Sequence, residues 1–337
     1  MAKRGSSGLS LVVGVNKPAG MTSHDVVNRV RRIFGERRCG HMGTLDPQAT
    51  GALAVGVGPA TRLDPFMTAH DKIYEFTVVF GIATETDDAD GDVTCVMPVP
   101  PQLADSAFAR EQVRSLVGER KQVPPVYSAI KVDGKRAYAE ARRGRIIDLA
   151  PRDIVVYDAR LHGIEDADGA LAWRVLVSVS AGTYVRAIAR DLGRDLGTCA
   201  HVGELHRVGA GRLRVQDCVS LEELEADPFG AMLDPVRLLG LRFAFLDERA
   251  RKLVGCGNQL SMEGLKLFRY HAGSLQGREL DACTSGVCEA PEPLAAGELV
   301  SMVSGNELLA IYEYDADRGV LKSRCGFAVG IKRGRSV

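Results

Sequence analysis

Two stretches of strict alternation limit what this chain can fold into. Tyr74, Phe76, Val78 and Phe80 stand at every second position within residues 73–83, and Trp173, Val175, Val177 and Val179 do the same further on. A period of two puts each set on one face of a pleated strand, so both runs read as strands. Helical spacing sits beside them. Val26, Val27, Val30, Ile33 and Phe34 follow Ser23, which reads as a helix cap, and Val185, Ile188, Leu192 and Leu196 form the buried stripe of YVRAIARDLGRDLG. A helix is expected over 106–117, and Ser220 with Glu223 makes a capping box for another. The chain opens with a short apolar strand, LVVGV, and a KPAG turn.

At 337 residues the chain can bury a sizeable core and is expected to form two domains. The first would run over 1–245. After Phe245, LKLFRY, GELVSMVSG and ELLAIYEYDADRGVLKSRCGF read as short strands joined by Gly and Asp turns, a small β-rich domain over 246–337 with a loop insertion near 271–296. The start, MAKRGSSGLSLVVGV, makes a poor signal peptide, and no run approaches the roughly 18 apolar residues of a membrane span, so a cytoplasmic protein is expected. Eight cysteines are scattered from Cys39 to Cys325 without a C-x-x-C pair. Cys283, Cys288 and His271 match no common metal spacing and read as a reduced surface loop.

Lys plus Arg and Asp plus Glu are equal at 43 each, so local charge is more informative than the total. RRIFGERR precedes a glycine-rich loop, residues 131–145 carry six basic residues against two acidic ones, and the tail carries IKRGR. Each alone reads as a solvated face, and three in one neutral chain weaken that reading. In residues 121–145, prolines, glycines, basic residues and two tyrosines without a clean period suit a protruding loop or hairpin that contacts a partner.

The loop GHMGTLDPQATG carries one carboxylate, Asp46, after two glycines and before a proline. An isolated Asp-Pro ordinarily initiates a turn. A phosphatase nucleophile of the haloacid dehalogenase type would need a second acid two residues on, where Gln48 stands. GHMG also fits the short G-x-x-G clamp of a KH domain, which leaves the Leu-Asp-Pro continuation unexplained. The acidic turn ETDDADGD fails as an EF-hand, because the frame from Asp88 places Val93 and Val99 where Gly and an acid are required.

Five blocks taken in order resemble the TruB-type tRNA pseudouridine synthases: NKPAGMTSHDVV, GHMGTLDPQATG, YEFTVVFG leading to TDDADG, PPVYSAIKVDGKRAYAEAR, and GTYVRAIARDLG followed by AHVGELHRV. The likeness covers residues 12 to about 215. It implies an α+β fold, a mixed and mainly antiparallel catalytic sheet followed by a small β-barrel-like domain of PUA type, and isomerisation of uridine 55 in the T loop of tRNA. Asp46 would be the catalytic aspartate, Tyr74 the residue stacked on the target base, Arg186 the partner of the aspartate and His41 the group that fills the place of the flipped base. Tyr184 and Leu205 match further pocket positions. Lys17, Pro18 and Gly20 belong to the first block, which would support the loop, with Lys17 also carried among the RNA-binding candidates. Lys131, Lys135, Arg136, Arg142 and Arg143 lie in the loop that closes over the T arm. Met42 and Gln48 depart from the family pattern.

The resemblance implies no metal and no redox cofactor, a tRNA T stem-loop as partner, no membrane, no required protein partner, and a monomer. The chemistry agrees: breaking the N1–C1′ bond and joining C5 to C1′ needs a carboxylate near the sugar, and a guanidinium beside it favours the charged form. Two rivals remain at this stage. One is an RNA-binding or folding helper whose catalysis is dispensable; the other is a synthase that needs a guide RNA.

Overall fold

The computed structural model describes residues 7–128, 131–132, 135–136, 149–270 and 286–334. It contains two compact units, one drawn from 1–47, 51–69 and 209–337, the other from 48–50 and 70–208. Both mix helices with sheets.

In the first unit, Leu11–Lys17 forms a strand in which Val12, Val13 and Val15 are wholly buried. It runs antiparallel to Thr50–Val57, with Leu11 opposite Val57 and Lys17 opposite Gly51. Met232–Leu233 lies along its other edge, and Cys39–His41 pairs with the far side of Thr50–Val57. The helix Ser23–Phe34 turns Val26, Val27, Val30 and Phe34 inward. Its cap is Thr22, which corrects the expectation of Ser23: Thr22 accepts from the Asp25 amide while Asp25 accepts from the Thr22 backbone. Asp25 stands three residues after Thr22, so only Thr22 can complete that reciprocal box. Ser23 is buried as the first helical residue and holds another segment instead.

A seven-stranded sheet in the same unit has the order Leu260–Ser261, Val320–Lys332, Glu307–Asp315, Leu299–Ser304, Arg242–Phe245, Leu267–Tyr270 and Val287–Glu289. Its one parallel pair joins Arg242–Phe245 to Leu299–Ser304. The sheet is buried on both faces. Phe243, Val303, Ile311 and Phe327 share a core with Val12, Met42 and Ala54, while Ala244, Met302, Tyr312 and Leu321 pack with Val254 of the helix Glu248–Gly255. Buried Asp234 ties this arrangement together: it accepts hydrogen bonds from the Tyr270 hydroxyl (2.7 Å) and the Val236 amide (2.9 Å), and pairs with Arg333 (2.6 Å).

The second unit carries both alternating runs. Lys72–Phe80 pairs antiparallel with Ala170–Val179, Tyr74 opposite Val177 and Val78 opposite Trp173. Arg152–Ala167 and Gly118–Gln122 extend the sheet. Trp173 is wholly buried, edge-on to Phe80 at 4.7 Å, with its indole N–H donating to the Leu103 carbonyl at 2.9 Å. The strand expected over 73–83 breaks at Gly81 and resumes as Ile82–Thr84, paired with Val93–Val96 across the acidic turn. The helix expected over 106–117 ends at Arg114. Ser115 turns its hydroxyl onto the Gln112 carbonyl there, competing with a further turn.

Lys131–Val132 and Lys135–Arg136 form a small antiparallel ladder, in keeping with the expected hairpin. Arg142, Arg143, His271, Cys283 and most of the 271–296 insertion lie outside the described residues. Among the described residues no helix is long and apolar enough to cross a membrane.

Candidate active site

Asp46 sits in the loop between Cys39–His41 and Thr50–Val57. Both of its neighbours are fixed by segment 17–23. The Leu45 amide donates to Ser23 Oγ at 2.9 Å, and that hydroxyl donates back to the Leu45 carbonyl at 3.0 Å. The Pro47 carbonyl accepts from the Lys17 ammonium at 2.9 Å and from the Gly20 amide at 3.0 Å. Leu45 is buried and Asp46 half-buried, so the apolar side chain anchors the loop from within while the carboxylate stays reachable. Gly43 and Gly51 bracket the loop at φ +103° and +107°. An L side chain is strained at such angles, which gives the glycines of the motif their reason.

Lys17 takes a different part from the RNA contact expected of it. Its side chain is wholly buried, and its ammonium donates to the carbonyls of Pro18 (2.8 Å) and Pro47. A group so enclosed cannot reach a surface ligand, and its place is the support of the loop. His41, half-buried, ends its strand opposite Val55. Met42, one of the departures from the family pattern, is a core residue beside Ala52 and Ala54.

In the second unit, Tyr74 is buried on Lys72–Phe80. Tyr184 is the residue before the helix Val185–Asp195, and Arg186 lies in the first turn. Gln122 holds Tyr184 by its backbone: the side-chain amide donates to the Tyr184 carbonyl at 3.0 Å and accepts from its N–H at 2.9 Å. The Arg152 guanidinium lies over the Tyr184 ring, 5.6 Å from its centre. Arg186 donates to the carbonyls of Thr86 (2.8 Å) and Tyr127 (3.0 Å) and stands 3.3 Å from the Asp88 carboxylate. Its side chain is 7% exposed, so these groups orient a charge in a place of low dielectric, where pairing is strong. One helical turn on, Arg190 pairs with Asp87 at 3.0 Å. Burial pushes the Asp87 carboxyl above its ordinary value, and Arg190 opposes that rise. Leu205 is half-buried, and its carbonyl accepts from Thr50 Oγ1 at 3.5 Å, while Thr50 Oγ1 also meets His206 Nδ1 at 2.8 Å.

Lys17, His41 and Asp46 therefore belong to one unit, and Tyr74, Tyr184, Arg186 and Leu205 to the other. Sequence reasoning missed Ser23 as a loop tether, Gln122 as the clamp of Tyr184, and Thr86 and Asp88 as partners of Arg186. The TDDADG block was legible as a turn, and its arrangement around Arg186 was not. Among the described residues, no group of three or more His, Cys, Asp or Glu is placed to hold a metal ion.

Comparison with known proteins places this geometry in a family. The model of the TruB family pseudouridylate synthase N-terminal domain matches residues 31–185, and that of the tRNA pseudouridylate synthase B C-terminal domain matches 186–233. The tRNA pseudouridine synthase B of Thermobifida fusca (strain YX) is 46% identical over 220 residues, which is 64% of this chain and 74% of that protein. Its counterpart in Streptococcus pneumoniae serotype 2 is 40% identical over 224 residues, 66% of this chain and 76% of that protein. A chain from the crystal structure of a Cbf5-Nop10-Gar1 complex shares the fold with a TM-score of 0.65 at 21% identity, over 97% of this chain and 86% of that one. The chain belongs to the TruB family of pseudouridylate synthases. It is an enzyme of the isomerase class, a pseudouridine synthase.

Proposed function

We propose that this protein isomerises uridine 55 to pseudouridine in the T loop of tRNA, with Asp46 as the catalytic aspartate. The observation that carries the reading is the two-sided tether of the Asp46 loop, with Leu45 held by Ser23 and Pro47 by Lys17 and Gly20. A carboxylate on a backbone so fixed meets the positioning demand of a reaction in which small displacements are costly. The relatives named tRNA pseudouridine synthase B support tRNA as the substrate.

The reaction breaks N1–C1′, turns the uracil over and joins C5 to C1′, moving one proton from C5 to the ring nitrogen. Asp46 acts by adding to C1′, by attacking the ring or by taking a proton toward a glycal. Each route needs the nucleotide out of its stack, at a cost of a few kcal/mol that stacking in the pocket offsets. Tyr74 supplies that stacking and His41 fills the vacated place. By the family resemblance, Arg186 is the residue expected to partner the aspartate, and Tyr184 and Leu205 are further pocket residues. The loop with Lys131, Lys135, Arg136, Arg142 and Arg143 closes over the T arm by phosphate contacts. Residues 1–245 act as the catalytic part and 246–337 as a PUA-like RNA-binding part. The protein works as a monomer, without a guide RNA or protein partner.

The test is incubation of the purified protein with an unmodified tRNA transcript in EDTA, mapping pseudouridine by carbodiimide labelling and primer extension, with Asp46→Asn alongside. A single T-loop stop that vanishes in the variant is expected. Bound tRNA without a stop would overturn the reading and favour a guide-dependent synthase or a binding-only role, and an Asp46→Asn protein that kept full activity would remove Asp46 from the chemistry.

A further inference from the structure

The basic run before the Asp46 loop has no part in the chemistry proposed above. Arg31, Arg32, Gly35, Glu36 and Arg37 line a cleft of about 490 Å³ at the end of the helix Ser23–Phe34. Arg31 and Arg32 lie in the last helical turn, where positive charge complements the helix dipole. Arg37 and Arg38 lie beyond the Gly35 cap and have no such role. The single acid of the cleft is turned inward: Glu36 is buried, and its carboxylate accepts from the Ser7 amide (2.8 Å), the Ser7 hydroxyl (3.0 Å) and the Arg38 amide (3.0 Å).

None of Arg31, Arg32, Arg37 and Arg38 forms an ion pair with a described carboxylate. The four differ in how far they are held. Arg31 donates to Asn28 Oδ1 (2.8 Å) and the Cys39 carbonyl (3.2 Å), and Arg38 to Thr61 Oγ1 (3.0 Å). Arg32 and Arg37 are exposed. Four guanidinium groups on one short stretch repel one another, and with Glu36 buried as the one acid lining the cleft, counterions or a bound polyanion relieve the rest of that repulsion. From Arg38 the strand Cys39–His41 leads to His41, about 10 Å at the rise of an extended chain.

Resting on the tRNA reading, we infer that this cleft binds the phosphate backbone of the stem adjoining the modified loop, through Arg32 and Arg37. Arg31 and Arg38 are the fixed flanks. A planar guanidinium suits phosphate, and the contact adds affinity and register without reading sequence.

The test uses the full-length protein, the Arg32→Gln/Arg37→Gln double variant and the Arg32→Lys/Arg37→Lys double variant. Binding of an unmodified tRNA transcript is measured across a salt series, and single-turnover pseudouridine formation at saturating RNA. For two lost phosphate contacts, the Gln variant is expected to bind about tenfold more weakly near 0.1 M salt, with a log–log salt slope shallower by about 1.5 to 2. Its rate at saturation should equal that of the unaltered protein, and the Lys variant should recover most of the affinity. Unchanged affinity and slope would overturn the inference, as would weaker binding with an unchanged slope that Lys does not restore, or a lower saturating rate with affinity intact. If the unaltered protein bound tRNA and made no T-loop pseudouridine, the functional reading would fall, and the salt slopes would still decide the cleft.

Discussion

Around Asp46, position comes from hydrogen bonds to the backbone on either side: Ser23 grips Leu45, and Lys17 with Gly20 grips Pro47. Around Arg186, position comes from charge as well, since Asp88 faces its guanidinium and Arg190 with Asp87 repeats the pattern one turn away. The difference teaches that the two regions should fail in different ways. Loosening the loop displaces the backbone that carries Asp46, whereas removing Arg186 takes away a buried guanidinium, leaving the Thr86 and Tyr127 carbonyls without that donor and Asp88 without the charge that faces it.

The largest effect is expected for Arg186→Met. It should lower stability by about 3–5 kcal/mol, read from urea unfolding, and abolish pseudouridine formation; a loss under about 1 kcal/mol would break the contrast. Lys17→Met comes next. It should lower the single-turnover rate about 100-fold, because the loop that carries the proposed catalytic Asp46 is displaced, with a smaller stability loss than Arg186→Met. If its stability loss were the larger, the loop would be no different in kind from the charged region.

Tyr270→Phe provides a control away from both regions and should cost about 2 kcal/mol by urea unfolding near neutral pH, with the saturating rate unchanged. Burial, with the hydrogen bond donated to Asp234, pushes the Tyr270 hydroxyl from about 10 up to about 12. The folded value lies above the unfolded one, so this contribution is complete below about pH 10 and is lost as pH rises toward 12. The gap between the two proteins should therefore narrow over that window, and a constant gap would exclude the link. Ser23→Ala should have the smallest effect, about 1 kcal/mol in the urea midpoint and a several-fold fall in rate. A rate unaltered within error would show that the Lys17 and Gly20 side of the tether is sufficient.

Much of the framework was legible from spacing. Both alternating runs are paired strands, and Ser220 with Glu223 does cap its helix. Of the motif's glycines, Gly43 and Gly51 stand at positive φ. Other features failed at the level of neighbouring residues. Thr22 and Ser23 are both competent caps, and the position of Asp25 selects Thr22. Lysine ordinarily lies at the surface, so nothing local announced that Lys17 would be wholly buried. The Arg186 surroundings were illegible for a different reason: its carbonyl partner on Thr86 is 100 residues away in sequence, and the Gln122 clamp of Tyr184 spans 62.

By itself, the sequence determined the periods of its strands and helices, the turn-forming glycines and prolines, and the ordered blocks that mark a TruB-type synthase, because these depend on local backbone preference and on residues close along the chain. Tertiary structure alone decided which hydroxyl caps and which tethers, why a lysine can be buried, and which carbonyls and carboxylate orient Arg186. Those outcomes rest on hydrogen-bond partners that only folding brings within about 3 Å of one another, and on burial that makes leaving any of them unmet costly.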